Sequence, residues 1–172
     1  MQANWLAALA EILKHEGGFV DNPDDPGGAT NRGITIGTLA AWRGEPVTAA
    51  DVAMLSESEA AAIYRARYWN QLQCDRLPDG VDLVTFDFGV NAGPARAAKM
   101  LQLIVAAEPD GVIGPATIHN TRRRDRRAII ERFSEDRLIY YRGLGTWPIF
   151  GKGWASRVES VKNAALAMGG GV

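Results

Sequence analysis

The chain has one cysteine and two histidines in 172 residues. Cys74 cannot form an intramolecular disulfide, and one cysteine with His15 and His119 makes no zinc pattern. Neither a disulfide framework nor a metal centre is expected. Excess charge of one sign is missing as well: 19 Lys and Arg stand against 20 Asp and Glu, a net charge of −1. Nucleic acid is therefore not an expected partner. No apolar run is long enough to span a bilayer, and no basic segment leads into an apolar one at the N-terminus. Stable membrane insertion is not expected, and the protein is expected to accumulate in the cytoplasm. Internal repeats, low-complexity linkers and convincing strand runs are absent too. What remains, 47% apolar and 23% charged, is the composition of an ordinary globular protein, expected to be a monomer.

Helical periodicity dominates. Trp5, Leu9, Ile12, Leu13 and Glu16 recur at helical spacing, which predicts a first helix over residues 3–16 with Lys14 and Glu11 on its solvated face. A loop follows over residues 17–34, with a short hairpin from Thr30 to Thr35. Thr35 and Gly44 bracket a short helix, and Thr48 caps another. Ser56 with Glu59 forms a capping-box signature opening a helix through Tyr64 and Trp69 to about Gln73. Pro78-Asp79-Gly80 turns into a hydrophobic helix from Val81 to Asn91. Further helices are expected over residues 94–107, after Gly114-Pro115, over Asp125–Tyr141, and from about Trp154 to Ala167. Two parts are expected, residues 1–92 and 93–168, packed as one globular unit.

Glu16 stands out. It lies where the first helix must stop, because Gly17 and Gly18 take a left-handed cap without a Cβ penalty. The chain then turns through Pro23, Pro26, Gly27 and Gly28, carrying Asp21, Asp24 and Asp25. One carboxyl on a rigid helix end, beside carboxylates on a nearby loop, is the minimum equipment for hydrolysing a glycosidic bond. A carboxyl against an apolar stripe also has its charged form disfavoured by desolvation, as a general acid requires. The plainer alternative is an exposed glutamate followed by a polar loop, with Asp25 folding a Pro-Gly-Gly turn. A calcium loop over Asp21 to Asp25 is disfavoured, because Pro23 occupies a position where an oxygen ligand is needed.

Other features have two readings each. Tyr64, Tyr68 and Trp69 can stack on sugar faces or fill the core. Asp87 lies between Phe86 and Phe88 with Asn91 one turn on, either contacting substrate or bracing a neighbouring loop through a partner such as Arg32. Asp110-Gly111-Val112-Ile113-Gly114-Pro115 reads as a turn and helix start, or as a wall contact. Arg122, Arg123, Arg124, Arg126 and Arg127 form a solvated face or attract an anionic polymer.

Read together, Glu16-Gly17-Gly18, Asp25-Pro26-Gly27-Gly28-Ala29-Thr30, Gly33-Ile34-Thr35, Tyr68-Trp69 and Phe86-Asp87-Phe88-Gly89-Val90-Asn91-Ala92-Gly93 make the chain resemble the glycoside hydrolase family 108 type of N-acetylmuramidase found in phage and prophage endolysins. The Asp110–Pro115 segment resembles the peptidoglycan-binding part that accompanies this family. The chain departs from the family pattern at Asp21-Asn22-Pro23, where that pattern reads Asn-Asp-Pro. The resemblance implies a mainly α, lysozyme-like fold with a short loop or hairpin after the first helix. It implies peptidoglycan glycan strands as partner, no cofactor, and release to the wall by an agent such as a holin. It makes Glu16 the general acid and Asp25 and Thr30 the residues that position water, with Thr35 in reserve. Tyr68, Trp69, Asp87 and Asn91 become the substrate-binding residues. A lytic transglycosylase and a non-catalytic wall-binding phage component are the alternatives.

Overall fold

The computed structural model describes residues 2–21 and 28–169; Asp25 lies outside them. Among the described residues the chain forms nine α-helices and one two-stranded hairpin, a mainly α, lysozyme-like fold. No described helix is long and apolar enough to cross a membrane. The helices are α1 Gln2–His15, α2 Ile36–Arg43, α3 Ala49–Ala53, α4 Glu57–Tyr64, α5 Val81–Ala92, α6 Pro94–Ile104, α7 Pro115–Arg122, α8 Arg126–Arg142 and α9 Trp147–Ala167; the strands are β1 Thr30–Asn31 and β2 Ile34–Thr35. The chain divides into two compact units, Leu9–Ala66 and Met1–Ala8 with Arg67–Val172. This division by compactness falls elsewhere than the functional boundary expected at residue 92.

In the unit Leu9–Ala66, local side chains set the helix ends. The Thr35 hydroxyl accepts the Thr38 N–H and starts α2, and Gly44, at φ 74°, closes it. Thr48 and Asp51 bond reciprocally at the start of α3. Ser56 caps α4 by accepting the Glu59 N–H, but Glu59 does not return the bond as a capping box would. Its carboxylate instead takes the Arg43 guanidinium, at 2.9 and 2.8 Å, joining the end of α2 to α4. Leu9, Ile12, Ile34, Leu39, Val52 and Ile63 are buried here. The buried Asn31 side chain donates to the Val52 and Ala53 carbonyls, tying β1 to α3. Glu11, expected on a solvated face, is buried and pairs with Lys14 and His15.

The second unit is built on α5, buried from Val81 to Gly89 and packed by α6, α8 and α9. Gly80, at φ 82°, lets the chain enter α5 against α9: a Cβ there would stand 2.9 Å from the Ala165 carbonyl carbon. Trp5, Trp69 and Phe86 form an aromatic cluster with centroids 5.3 to 5.7 Å apart, in which Trp69 meets the other two rings edge-on. Asp82 is enclosed beside them; burial pushes its carboxyl up, and hydrogen bonds from Asn4, Leu83 and Gly80 only partly offset this.

Helix α9 begins at Trp147, seven residues before the expected start at Trp154. Pro148 falls in the first turn, where proline is tolerated. Gly151 makes room for the Trp147 indole folding back over the helix, its ring atoms 2.5 to 2.8 Å from where a Cβ would stand. α4 also ends early, because the chain continues through a π-helical turn, Arg65–Trp69. The Asp110–Pro115 segment is a folded knot: the buried Gln102 side chain donates to Asp110 Oδ1 and the Val112 carbonyl, and accepts the Gly111 N–H.

The arginine cluster is neither purely solvated nor free. Arg122 donates to the Arg76 carbonyl, Arg124 to the Ile104 carbonyl at the end of α6, and Arg126 to the Asp79 carbonyl. These are chain-end carbonyls that helices and turns leave without a partner. Arg127 pairs with Glu131.

Candidate active site

Glu16 is one residue past α1. Its N–H still bonds the Ile12 carbonyl at 3.2 Å, so the backbone is held in the last helical turn. Neither Gly17 nor Gly18 has a positive φ, so the expected left-handed cap does not form. The hairpin takes over instead: the Arg32 N–H bonds the Gly17 carbonyl at 3.1 Å, and Val20 and Thr30 exchange two 2.8 Å bonds. The segment after Glu16 thus becomes a third extended piece beside β1.

The hairpin pairs Asn31 with Ile34 around a two-residue turn, Arg32 and Gly33, at φ 51° and 75°. Positive φ at both turn positions is the geometry that matches strand twist in a two-residue hairpin. At Gly33 it also makes space. A methyl group there would stand 2.6 Å from Glu16 Oε2 and 3.0 Å from its Cδ, and would collide with the Tyr64 hydroxyl. The half-buried Glu16 carboxyl therefore rests against the bare Cα of Gly33. Tyr64, fully buried at the end of α4, donates its hydroxyl to the Arg32 carbonyl at 2.8 Å. Sequence reading weighed Tyr64 as a sugar-stacking or core aromatic, not as a partner of Arg32. No spacing signal joins it to Arg32, 32 positions earlier.

The other expected residues are distributed as follows. Thr30 is half-buried in β1, its hydroxyl donating to the Ile34 carbonyl at 3.3 Å. Thr35 is engaged as the α2 cap. Tyr68 is half-buried in the π-helical turn. Trp69 has no exposed surface, and its indole N–H donates to Asp75 at 3.0 Å. An enclosed ring offers a sugar no face, so Trp69 is a core residue in this conformation.

Asp87 is also fully enclosed, between Arg137 and Arg157, whose side chains are 2% and 12% exposed. Burial alone would raise its carboxyl, but the two guanidinium charges outweigh this and hold it below the usual carboxylate range. The brace expected through Arg32 is made by these arginines instead. Asn91, one turn on, is exposed. Its Oδ1 accepts from Arg137 Nη2 at 2.9 Å and from the Tyr141 hydroxyl at 3.2 Å. Among the described residues, no group of three His, Cys, Asp or Glu could hold a metal ion.

A lysozyme-like helical fold with a glutamate carboxyl held at the end of its first helix is compatible with a glycoside hydrolase. The chain belongs to the glycosyl hydrolase 108 family: that family's model matches residues 9–93. The whole chain is similar to a solved structure, that of Brucella abortus SagA, at 47% identity and a TM-score of 0.88, over 97% of this chain and 96% of that one. No curated protein matches it. Membership makes the chain a glycoside hydrolase of the peptidoglycan-cleaving kind.

Proposed function

We propose that the chain is an N-acetylmuramidase that hydrolyses the β-1,4 bond between N-acetylmuramic acid and N-acetylglucosamine. Glu16 is the general acid. Its carboxyl donates a proton to the glycosidic oxygen, and Asp25 and Thr30 position the attacking water. The observation that carries the reading is the seat of the Glu16 carboxyl on Gly33, at a turn of the same hairpin that bears Thr30. A general acid needs a fixed position near the leaving oxygen, and a helix end locked to a hairpin supplies one. Tyr68 and Asn91 contribute glycan contacts. Their support is that neither is enclosed.

The test is mass spectrometry of fragments from purified peptidoglycan. Wild type should release fragments ending in a reducing N-acetylmuramic acid, and Glu16→Gln should release none while melting normally. Anhydro ends would make the enzyme a lytic transglycosylase. Full activity in a folded Glu16→Gln protein would remove Glu16 as the acid. Asp25→Asn should lose turnover while still binding glycan, because its target is water. An endolysin role, with release by an agent such as a holin, belongs to the same proposal. It is tested by fractionating cells that express the chain with and without a holin.

A further inference from the structure

We propose that Tyr64 is a positioning residue for the Glu16 carboxyl, acting through the Arg32–Gly33 turn that its buried hydroxyl holds. The inference rests on the reading of Glu16 as the acid. Both backbone groups of Arg32 are engaged. Its N–H bonds the carbonyl of Gly17, the residue after Glu16, and its carbonyl takes the Tyr64 hydroxyl at 2.8 Å. Arg32 is a non-glycine residue at φ 51°, a backbone conformation that persists where the surroundings determine it. The Tyr64 hydrogen bond is one of those determinants. The next residue, Gly33, is the surface on which the carboxyl rests, and the Tyr64 hydroxyl lies against the same face of it. Hydroxyl, turn and carboxyl therefore move together. With almost no exposed surface, Tyr64 does not reach substrate and acts through the turn.

The test uses the full chain and solubilised glycan strands. Tyr64→Phe keeps the ring and removes the donor. A carboxyl displaced by about 1 Å costs up to ~100-fold in rate, so kcat should fall ~10- to 100-fold with KM within about twofold. Ile63→Val, a buried change in the same helix that leaves the turn alone, should lower the melting temperature and keep kcat. 4-Aminophenylalanine at position 64, which restores a donor, should recover most of the lost kcat. 4-Fluorophenylalanine, which has no donor, stands in should the Phe variant not fold. Unchanged kcat without the donor overturns the proposal, as does an equal kcat loss in Ile63→Val or a failure of the amino variant to recover. An active Glu16→Gln protein would instead bring down the reading on which the proposal rests. An inactive Glu16→Gln beside a fully active Tyr64→Phe would bring down only the role of Tyr64.

Discussion

Gly33→Ala separates backbone strain from the crowding of the acid, because the same unit contains a matched control. Gly33 and Gly44 have nearly the same left-handed φ, 75° and 74°. At Gly44 a Cβ would meet nothing within 4 Å, whereas at Gly33 it would stand 2.6 Å from Glu16 Oε2. Alanine in a left-handed conformation costs about 1–2 kcal/mol, and both variants carry that cost. For a chain of this size each kcal/mol lowers the melting temperature by about 2–4 °C, so Gly44→Ala should melt ~2–8 °C lower. Its lysis rate at 25 °C should be unchanged.

Gly33→Ala carries the contact in addition. Carbon-to-oxygen contacts are ordinary only beyond 3.4 Å, so the carboxyl must retreat by several tenths of an ångström. The Tyr64 hydroxyl lies against the same face of Gly33, so the added methyl crowds it as well. A misplacement of about 1 Å can cost ~100-fold in rate. The expected outcome is a loss of at least ~10-fold in the turbidity assay on permeabilised cells, beside a melting temperature at or below that of Gly44→Ala. A Gly33→Ala protein that lyses at the wild-type rate would refute the seat as a feature of catalysis. Equal losses of activity in both variants would show that strain alone is responsible.

Asp87→Asn leaves two guanidinium groups without their carboxylate, and breaking a buried pair in this way costs about 3–5 kcal/mol. The Asp87 carboxyl is held below its unfolded value. Its stabilisation is therefore complete above the ordinary carboxylate range and lost only as pH falls through the lower folded value. The melting difference between wild type and Asp87→Asn should stay constant from pH 7 to pH 5 and narrow only below about pH 4; narrowing near neutrality would contradict the arrangement. Trp69→Phe should cost ~0.5–3 kcal/mol in thermal melts with KM for glycan unchanged, since the ring is enclosed; a raised KM at unchanged stability would return Trp69 to a cleft wall. Arg124→Gln removes a donor from the Ile104 carbonyl and should lower stability by ~1 kcal/mol. Sedimentation of inactive Glu16→Gln protein with sacculi should not change when Arg124→Gln is added, and a clear loss of binding would restore the polymer-attracting reading.

Much of the frame was legible because its signals are local. The Thr35, Thr48 and Ser56 caps, Gly44 at the end of α2 and the first helix ending beside Glu16 each depend on residues a few positions apart. The signals misled where one side chain had two partners available. Glu59 fits a capping box, yet a bidentate guanidinium from Arg43 is the stronger charge-assisted bond. Glu11 fits an exposed helix face, but Lys14 and His15 supply partners that let it be enclosed. The arginine run was read by its charge, and its main use is in hydrogen bonds to carbonyls 20 to 47 residues away. Tyr64 and Gly33 were illegible as a pair for the same reason. Their connection passes through the backbone of Arg32, and backbone atoms leave no mark in sequence.

Asp87 and Asn91 show why four-residue spacing carried information without revealing roles. On α5 they share one face, and Arg137 reaches both, with one terminal nitrogen on Asp87 and the other on Asn91. The enclosed carboxylate pairs with Arg137 and holds it in place. The second nitrogen can only donate, so it meets the carbonyl oxygen of the Asn91 amide, and Tyr141 donates to the same atom. That fixes which end of the amide turns inward. The Nδ2 group, with two donors, is left for the exposed side of the residue. The buried partner of the pair serves as structure, and through Arg137 it orients the exposed one. A motif in which both residues look equally functional thus resolves into an enclosed carboxylate and an exposed amide.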